Sequence, residues 1–290
     1  MNTLQITNAS VIIFCILINI TILFFVLINK VRSDKRSRVF IGVLSVNFIL
    51  LMSFLIRQYY EGQPNPVYNS LLIYTASIYQ ATSQVLLLLH IKLTLLSIER
   101  KTAISGITKY AAYIAAAAVC INLILSVATP FTHVYFYFDE MNKTVLQDAL
   151  IISDITTFIW AVLTLFILIS NKKNLTIKEI GALMSYVVLP TIALIFYLIT
   201  LNLHFIIFAI MLSIIIYYAS IQSELSQQIK QQELDLKQKE LELSYKDLEL
   251  VKNRIATMTS QIQPHFIYNT LSAIKSLIRV DPKIAIETVS

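Results

Sequence analysis

The sequence of 290 residues contains little charge, few glycines and only two cysteines. Asp, Glu, Lys and Arg make up 14% of the chain and hydrophobic residues 57%, whereas soluble domains carry about 25% charged residues. This composition excludes an ordinary soluble domain and predicts a membrane protein. Cys15 and Cys120 lie in apolar runs without CxxC spacing, so we expect buried free thiols and no cysteine metal site.

The net charge of +6 does not indicate a nucleic-acid-binding protein. The Lys and Arg residues lie between apolar runs, or alternate with Glu and Asp in the C-terminal tail. Basic residues in that distribution are typical of membrane orientation. We therefore expect contact with membrane lipid and no direct contact with nucleic acid.

Seven apolar runs are long enough to cross a bilayer, which requires about 20 mostly apolar residues in a helix. They comprise residues 9–28, 39–56, 71–95, 110–128, 150–169, 180–199 and 203–218. No Lys or Arg precedes the first run, so we expect it to be a retained helix, not a cleaved signal peptide.

The connections between the runs differ in their content of Lys and Arg. The first, third and fifth connections hold eleven of these residues, and the opposite side holds two. Because basic residues are retained in the cytoplasm, we expect the N-terminus outside and the C-terminal tail in the cytoplasm.

Polar residues inside the third run are candidates for a ligand site, since each is costly in hydrocarbon unless it is paired. Gln80, Ser83 and Gln84 share one helical face, where they can join neighbouring helices or contact a ligand. His90 and Lys92 lie nearer the cytoplasmic end. We expect Lys92 to extend to the interface, with a proton relay as the alternative.

An aromatic segment, HVYFYFDE, occupies residues 133–140 on the outer side. Aromatic residues are enriched at membrane interfaces. The segment is therefore interpreted as an interfacial belt, or alternatively as a lip that contacts a ligand.

Residues 221–263 contain no Gly and no Pro and are rich in Gln, Lys, Glu and Leu, which predicts one helix of about 65 Å. Apolar residues recur every seven positions, which favours a parallel coiled coil in a homodimer. Two such rows are present, one through Leu234, Leu241 and Leu248 and the other through Leu236, Leu243 and Leu250. Either the stalk packs on two sides, or two registers compete and carry a signal.

The stalk runs into QIQPHFIYNTL at residues 261–271. A neutral imidazole such as that of His265 has a nitrogen lone pair that can attack a phosphoryl group. Asn269 is four residues further and shares its helical face, so its amide can orient the ring. Pro264 predicts either a helix boundary or a hinge.

This segment closely resembles the phosphoacceptor region of the LytS/YehU-type sensor histidine kinase family. The resemblance covers residues from about 259 to the end and implies that His265 is the phosphoacceptor, with Phe266, Tyr268, Asn269 and Leu271 at matching positions. It further implies a two-component system in the bacterial cytoplasmic membrane. The expected partners are a second copy of the chain and a response regulator, often one with a LytTR-type DNA-binding domain.

The family implies ATP and Mg²⁺ on a separate nucleotide-binding domain. No glycine follows His265, so a Gly-rich nucleotide loop is missing here, and we expect a truncated chain that is inactive alone. Asp281 and Pro282 predict the turn of a helical hairpin.

The expected fold is an all-α membrane protein in three parts. Residues 1–218 form the seven-helix sensor region, 219–260 a coiled-coil helix, and 261–290 part of the dimerisation and phosphoacceptor region. One alternative is a non-enzymatic seven-helix receptor or transporter with a dimerising coiled-coil tail. The other is a regulatory subunit of an intact kinase.

Overall fold

The fold is described from a computed structural model, which covers residues 3–28, 35–200, 204–261 and 264–289. These residues form nine α-helices and one small sheet, which confirms the predicted all-α membrane fold. The helices are α1 (Thr3–Ile28), α2 (Lys35–Tyr60), α3 (Pro66–Glu99), α4 (Gly106–Thr132), α5 (Leu150–Ser170), α6 (Ile177–Thr200), α7 (His204–Gln261), α8 (Pro264–Val280) and α9 (Pro282–Val289).

Seven of these helices, α1 to α7, are long and apolar enough to cross a membrane. Each contains one of the predicted apolar runs, apart from Leu203, which lies outside the described residues. Local signals explain why some helices extend beyond their runs. Pro66 occupies the first turn of α3, and the side chain of Asn65 accepts a hydrogen bond from the backbone N–H of Val67 at 3.1 Å.

The chain divides into two compact units, Met1–Ser223 and Glu224–Ser290. In the first unit, helices α1 to α5 pack in sequence order, each against the next. Their buried aliphatic side chains form one continuous core, with Leu44 and Ile98 fully buried. Cys15 is buried as predicted, but Cys120 is exposed, so the prediction of a buried thiol there was wrong. Its side of α4 faces outward because alanines such as Ala115 take the inward positions.

A β-hairpin between α4 and α5 was not predicted. Strands β1 (Phe136–Phe138) and β2 (Thr144–Leu146) pair antiparallel, and Asn142 in the turn adopts a left-handed conformation with φ of 56°. Tyr135, Phe136 and Phe138 are buried and pack with residues of α3. The interpretation as an interfacial belt was wrong for these three residues, because they form a small protein core of their own.

A chain of hydrogen bonds links this hairpin segment to three helices. The hydroxyl of Tyr135 donates to Oδ1 of Asn122 at 2.7 Å, and Nδ2 of Asn122 donates to Oγ of Ser153 at 2.9 Å. The same oxygen accepts from Nε2 of Gln80 at 2.9 Å. Burial raises the pKa of the Tyr135 hydroxyl to about 12, so this group stays protonated as a donor.

A buried carboxylate joins the helix ends that carry the predicted cytoplasmic connections. Glu179 on α6 accepts hydrogen bonds from Arg36 at 3.4 Å, Arg100 at 3.0 Å and Lys101 at 2.9 Å. It also accepts from the backbone N–H of Thr176 at 2.8 Å. One acidic side chain therefore connects the start of α2, the end of α3 and the start of α6.

The second unit is helical over its described residues, apart from Asp281 between α8 and α9. The long helix α7 continues through it to Gln261, which confirms the predicted stalk helix. Both rows of leucines are exposed along it, from Leu248 at 56% to Leu250 at 65%. Helices α8 and α9 pack as the predicted hairpin, and Oδ1 of Asp281 caps α9 by accepting from the N–H of Lys283 at 3.0 Å.

Candidate functional site

The candidate site lies in the first turn of α8. The helix begins at Pro264, a position that proline tolerates because the first backbone N–H groups of a helix have no intrahelical partner. His265 follows directly and is exposed. The hinge predicted at Pro264 stays a prediction, since residues 262 and 263 and the side chain of Pro264 lie outside the description.

His265 has one specific side-chain partner. Its Nδ1 lies 2.9 Å from the amide nitrogen Nδ2 of Asn269. The spacing of four residues places both side chains on one face of α8, as the sequence indicated. The contact engages Nδ1 and thereby limits rotation of the ring, while Nε2 makes no hydrogen bond within the described residues.

An amide can hold this ring nitrogen in two ways, because a half-turn about its terminal bond exchanges its nitrogen and oxygen. With Nδ2 toward the ring, the amide donates to a bare Nδ1, and the neutral ring carries its proton on Nε2. With Oδ1 toward the ring, the amide accepts from Nδ1–H, and Nε2 has the lone pair. The second arrangement makes Nε2 the nucleophile.

The surroundings of His265 are apolar and open. Phe266, Tyr268 and Leu271 are each more than half exposed. No acidic side chain bonds the ring within the described residues, so a general base is not identified there. No group of three His, Cys, Asp or Glu side chains that could hold a metal occurs in the described part of the chain.

The three residues predicted as ligand contacts lie together on α3 but differ in their partners. Gln80 bonds Ser153 on α5, as expected of a residue that joins helices. The Ser83 hydroxyl donates to the Gln80 carbonyl at 2.6 Å, and Nε2 of Gln84 donates to that hydroxyl at 3.2 Å. Oε1 of Gln84 is buried without a hydrogen-bond partner. Ligand contact by these residues stays a prediction.

His90 has an environment that the sequence did not reveal. Its Nε2 lies 3.1 Å from the carbonyl oxygen of Leu183 on α6. Its ring stacks on Tyr186, with centroids 4.7 Å apart and planes at 15°, and meets the edge of Trp160 at 5.5 Å. The only signal in the sequence was a histidine within an apolar run, which does not identify partners on α5 and α6.

Residues 253–290 match the family model described as "Histidine kinase". The match supports a histidine kinase family. It includes the end of α7, the candidate pair His265 and Asn269 and both helices of the terminal hairpin, while helices α1 to α6 lie outside it. No curated protein and no solved structure matches the chain. The seven candidate spans and the histidine kinase match together fit a multi-pass membrane protein.

Proposed function

We propose that this chain is the sensing and phosphoacceptor part of a LytS/YehU-type sensor histidine kinase. It acts in the bacterial cytoplasmic membrane, with the C-terminal tail in the cytoplasm and His265 as the phosphoacceptor. The observation that carries this proposal is the exposed His265 ring held by Asn269 at 2.9 Å, within the segment that matches the histidine kinase family.

The proposed reaction is a phosphoryl transfer to Nε2 of His265. A bond forms between this nitrogen and the γ-phosphorus of ATP, the bond from that phosphorus to the β,γ-bridging oxygen breaks, and ADP leaves. The ring retains its proton on Nδ1, and this N–H donates a hydrogen bond to Oδ1 of Asn269 when the amide is turned with its oxygen toward the ring. Asn269 is thus a positioning residue that selects the reactive form of the ring.

In the proposed reaction ATP is the phosphoryl donor and Mg²⁺ is its metal ion, as the resemblance to the family implies. The described residues offer no group of three His, Cys, Asp or Glu side chains that could hold a metal ion. A nucleotide-binding domain outside these 290 residues would bind both ATP and Mg²⁺.

The proposed partners are a second copy of the chain and a response regulator that receives the phosphoryl group on an aspartate. The family resemblance favours a regulator of the LytTR type. Support for the homodimer comes from α7, where both leucine rows are exposed in the single chain. Pairing of two such helices would bury at least one row. The two rows permit two registers, and a change between them would carry the signal to His265.

The test is labelling of the intact kinase in membrane vesicles with radiolabelled ATP and Mg²⁺. We expect acid-labile, base-stable label on the wild type and none on His265→Gln. Asn269→Ala should label about tenfold more slowly, because one hydrogen bond to the ring is lost. Asn269→Asp should retain labelling, because its carboxylate also accepts from Nδ1–H.

Thr270→Ala is the matched control on the same exposed turn, where the hydroxyl bonds only the Phe266 carbonyl. It should label like the wild type. Equal labelling of His265→Gln and the wild type would refute the phosphoacceptor assignment. Unchanged labelling of Asn269→Ala would refute the positioning role alone.

A further inference from the structure

A cavity inside the membrane unit lies between α2, α3, α6 and α7. Its lining includes Val43, His90, Ala182, Tyr186 and Ile214. The lining is aliphatic and aromatic apart from the imidazole, and none of the described residues that form it carries a charge. We refer to this cavity as the His90 pocket.

The hydrogen bonding of His90 determines what the pocket can accept. The Leu183 carbonyl is only an acceptor, so Nε2 of His90 must carry the proton of the neutral ring. Nδ1 is therefore a bare acceptor. It is buried and has no hydrogen-bond partner, and only 3% of the His90 surface is exposed. A buried acceptor without a partner costs free energy that a donor would recover.

We propose that the His90 pocket binds a small neutral molecule through one hydroxyl or amino group, which donates a hydrogen bond to Nδ1 of His90. A neutral ligand is favoured because no lining carboxylate could balance a cation. A carbonyl or carboxylate oxygen could not bond Nδ1, because Nδ1 itself only accepts. The aromatic rings beside His90 then cover the apolar part of the ligand.

The size of the pocket limits what enters it. Its volume is about 10 Å³, which is room for roughly one water molecule. A single hydroxyl or amino group fits there, and the rest of a ligand can enter only if the lining side chains move apart.

The position of the pocket determines which helices a bound molecule would contact. Ile214 and Tyr217 of α7 line it, so a bound molecule would contact the helix that continues to Gln261. This inference does not rest on the proposed phosphotransfer, and its test uses no nucleotide.

Trp160 provides a reporter inside the protein. It is the only tryptophan of the chain, and its ring meets the His90 ring at 5.5 Å. Bromine quenches tryptophan fluorescence at short range, so 2-bromoethanol serves as a hydroxyl-bearing probe. Bromoethane is its matched control, which has the same bromine and no donor.

The experiment titrates both probes into the full chain in lipid nanodiscs and records the fluorescence. We expect saturable quenching by 2-bromoethanol and only a linear response to bromoethane. His90→Phe keeps a ring but removes Nδ1, so half-saturation should require at least about tenfold more probe. Ala182→Leu fills the pocket from α6 and should abolish saturation while leaving His90 in place.

Ile114→Phe on the exposed face of α4 should bind like the wild type. A linear response of the wild type to 2-bromoethanol would overturn the proposal. If bromoethane saturated as 2-bromoethanol does, the assignment of Nδ1 as the acceptor would be overturned. The same would hold if 2-bromoethanol saturated the His90→Phe variant and the wild type equally. Undiminished saturation in Ala182→Leu would overturn the location of the site.

Discussion

Glu179 offers the sharpest test of how the membrane helices are held together. Substitution by Gln keeps the shape of the side chain and removes its charge. The substitution leaves Arg36, Arg100 and Lys101 near one another without the anion that each contacts at 2.9 to 3.4 Å. The expected result is a loss of stability of the membrane unit.

The size of the loss follows from the exposure of each partner. The pair with Arg36 is buried on both sides, with side-chain exposures of 10% and 7%. Breaking a buried pair costs about 3 to 5 kcal/mol, and the distance of 3.4 Å favours the lower end. Arg100 and Lys101 are each 32% exposed, so their pairs add at most about 1 kcal/mol each. We expect a total of about 3 to 5 kcal/mol.

The assay is denaturant unfolding of the purified chain in detergent, followed by circular dichroism. Glu99→Gln is the matched control, since Glu99 is an exposed carboxylate at the end of α3 and its loss should cost at most about 0.5 kcal/mol. In 1 M salt, where exposed charges are screened, most of the difference should persist. Equal unfolding of the two variants would refute the reasoning. Disappearance of the difference in salt would show that the exposed pairs, not Arg36, provide the stability.

Three further predictions follow from features described above. Tyr135→Phe leaves Oδ1 of Asn122 buried without its donor and should cost about 1 to 3 kcal/mol in the same unfolding assay. Because the Tyr135 pKa is raised from 10.0 to about 12, its contribution should be complete below pH 10 and lost as the pH rises through 12. Pro264→Ala should weaken stimulus-dependent labelling of the intact kinase. Disulfide yields at Leu241→Cys and Leu243→Cys should change in opposite directions when the stimulus is applied, because only one of the two rows can lie at the helix–helix interface at a time.

Each of these predictions has a contrary result. Unfolding of Tyr135→Phe at the wild-type denaturant concentration would show that the hydroxyl is not a structural donor. Normal stimulus-dependent labelling of Pro264→Ala would remove the hinge from the mechanism. Unchanged disulfide yields at both leucine positions would exclude competing registers.

The helices were predictable from the sequence because each apolar run is long enough to span hydrocarbon and is bounded by charged or turn-forming residues. The contact between His265 and Asn269 was predictable for a local reason. Two residues four apart on a helix lie on the same face, independently of the rest of the fold. The structure places Nδ1 of His265 and Nδ2 of Asn269 2.9 Å apart.

Features that depend on distant contacts were not predictable. The hairpin strands have three residues each, too few for an alternating pattern to show, and Phe136 and Phe138 are buried only because α3 lies against them. The partners of His90 lie far along the chain, with Trp160 on α5 and with Leu183 and Tyr186 on α6. Whether Cys120 is buried depends on which face of α4 packs against the other helices. Most side chains of α4 are small, so the sequence does not distinguish that face clearly.

The hydroxyl of Tyr135 has a consequence for how the hairpin can move. Lifting the hairpin away from the bundle would leave Oδ1 of Asn122, a fully buried residue, without its donor. The separation would cost about 1 to 3 kcal/mol for this contact alone. Any movement that keeps the hydrogen bonds among Tyr135, Asn122 and Ser153 therefore carries the hairpin segment together with α4 and α5.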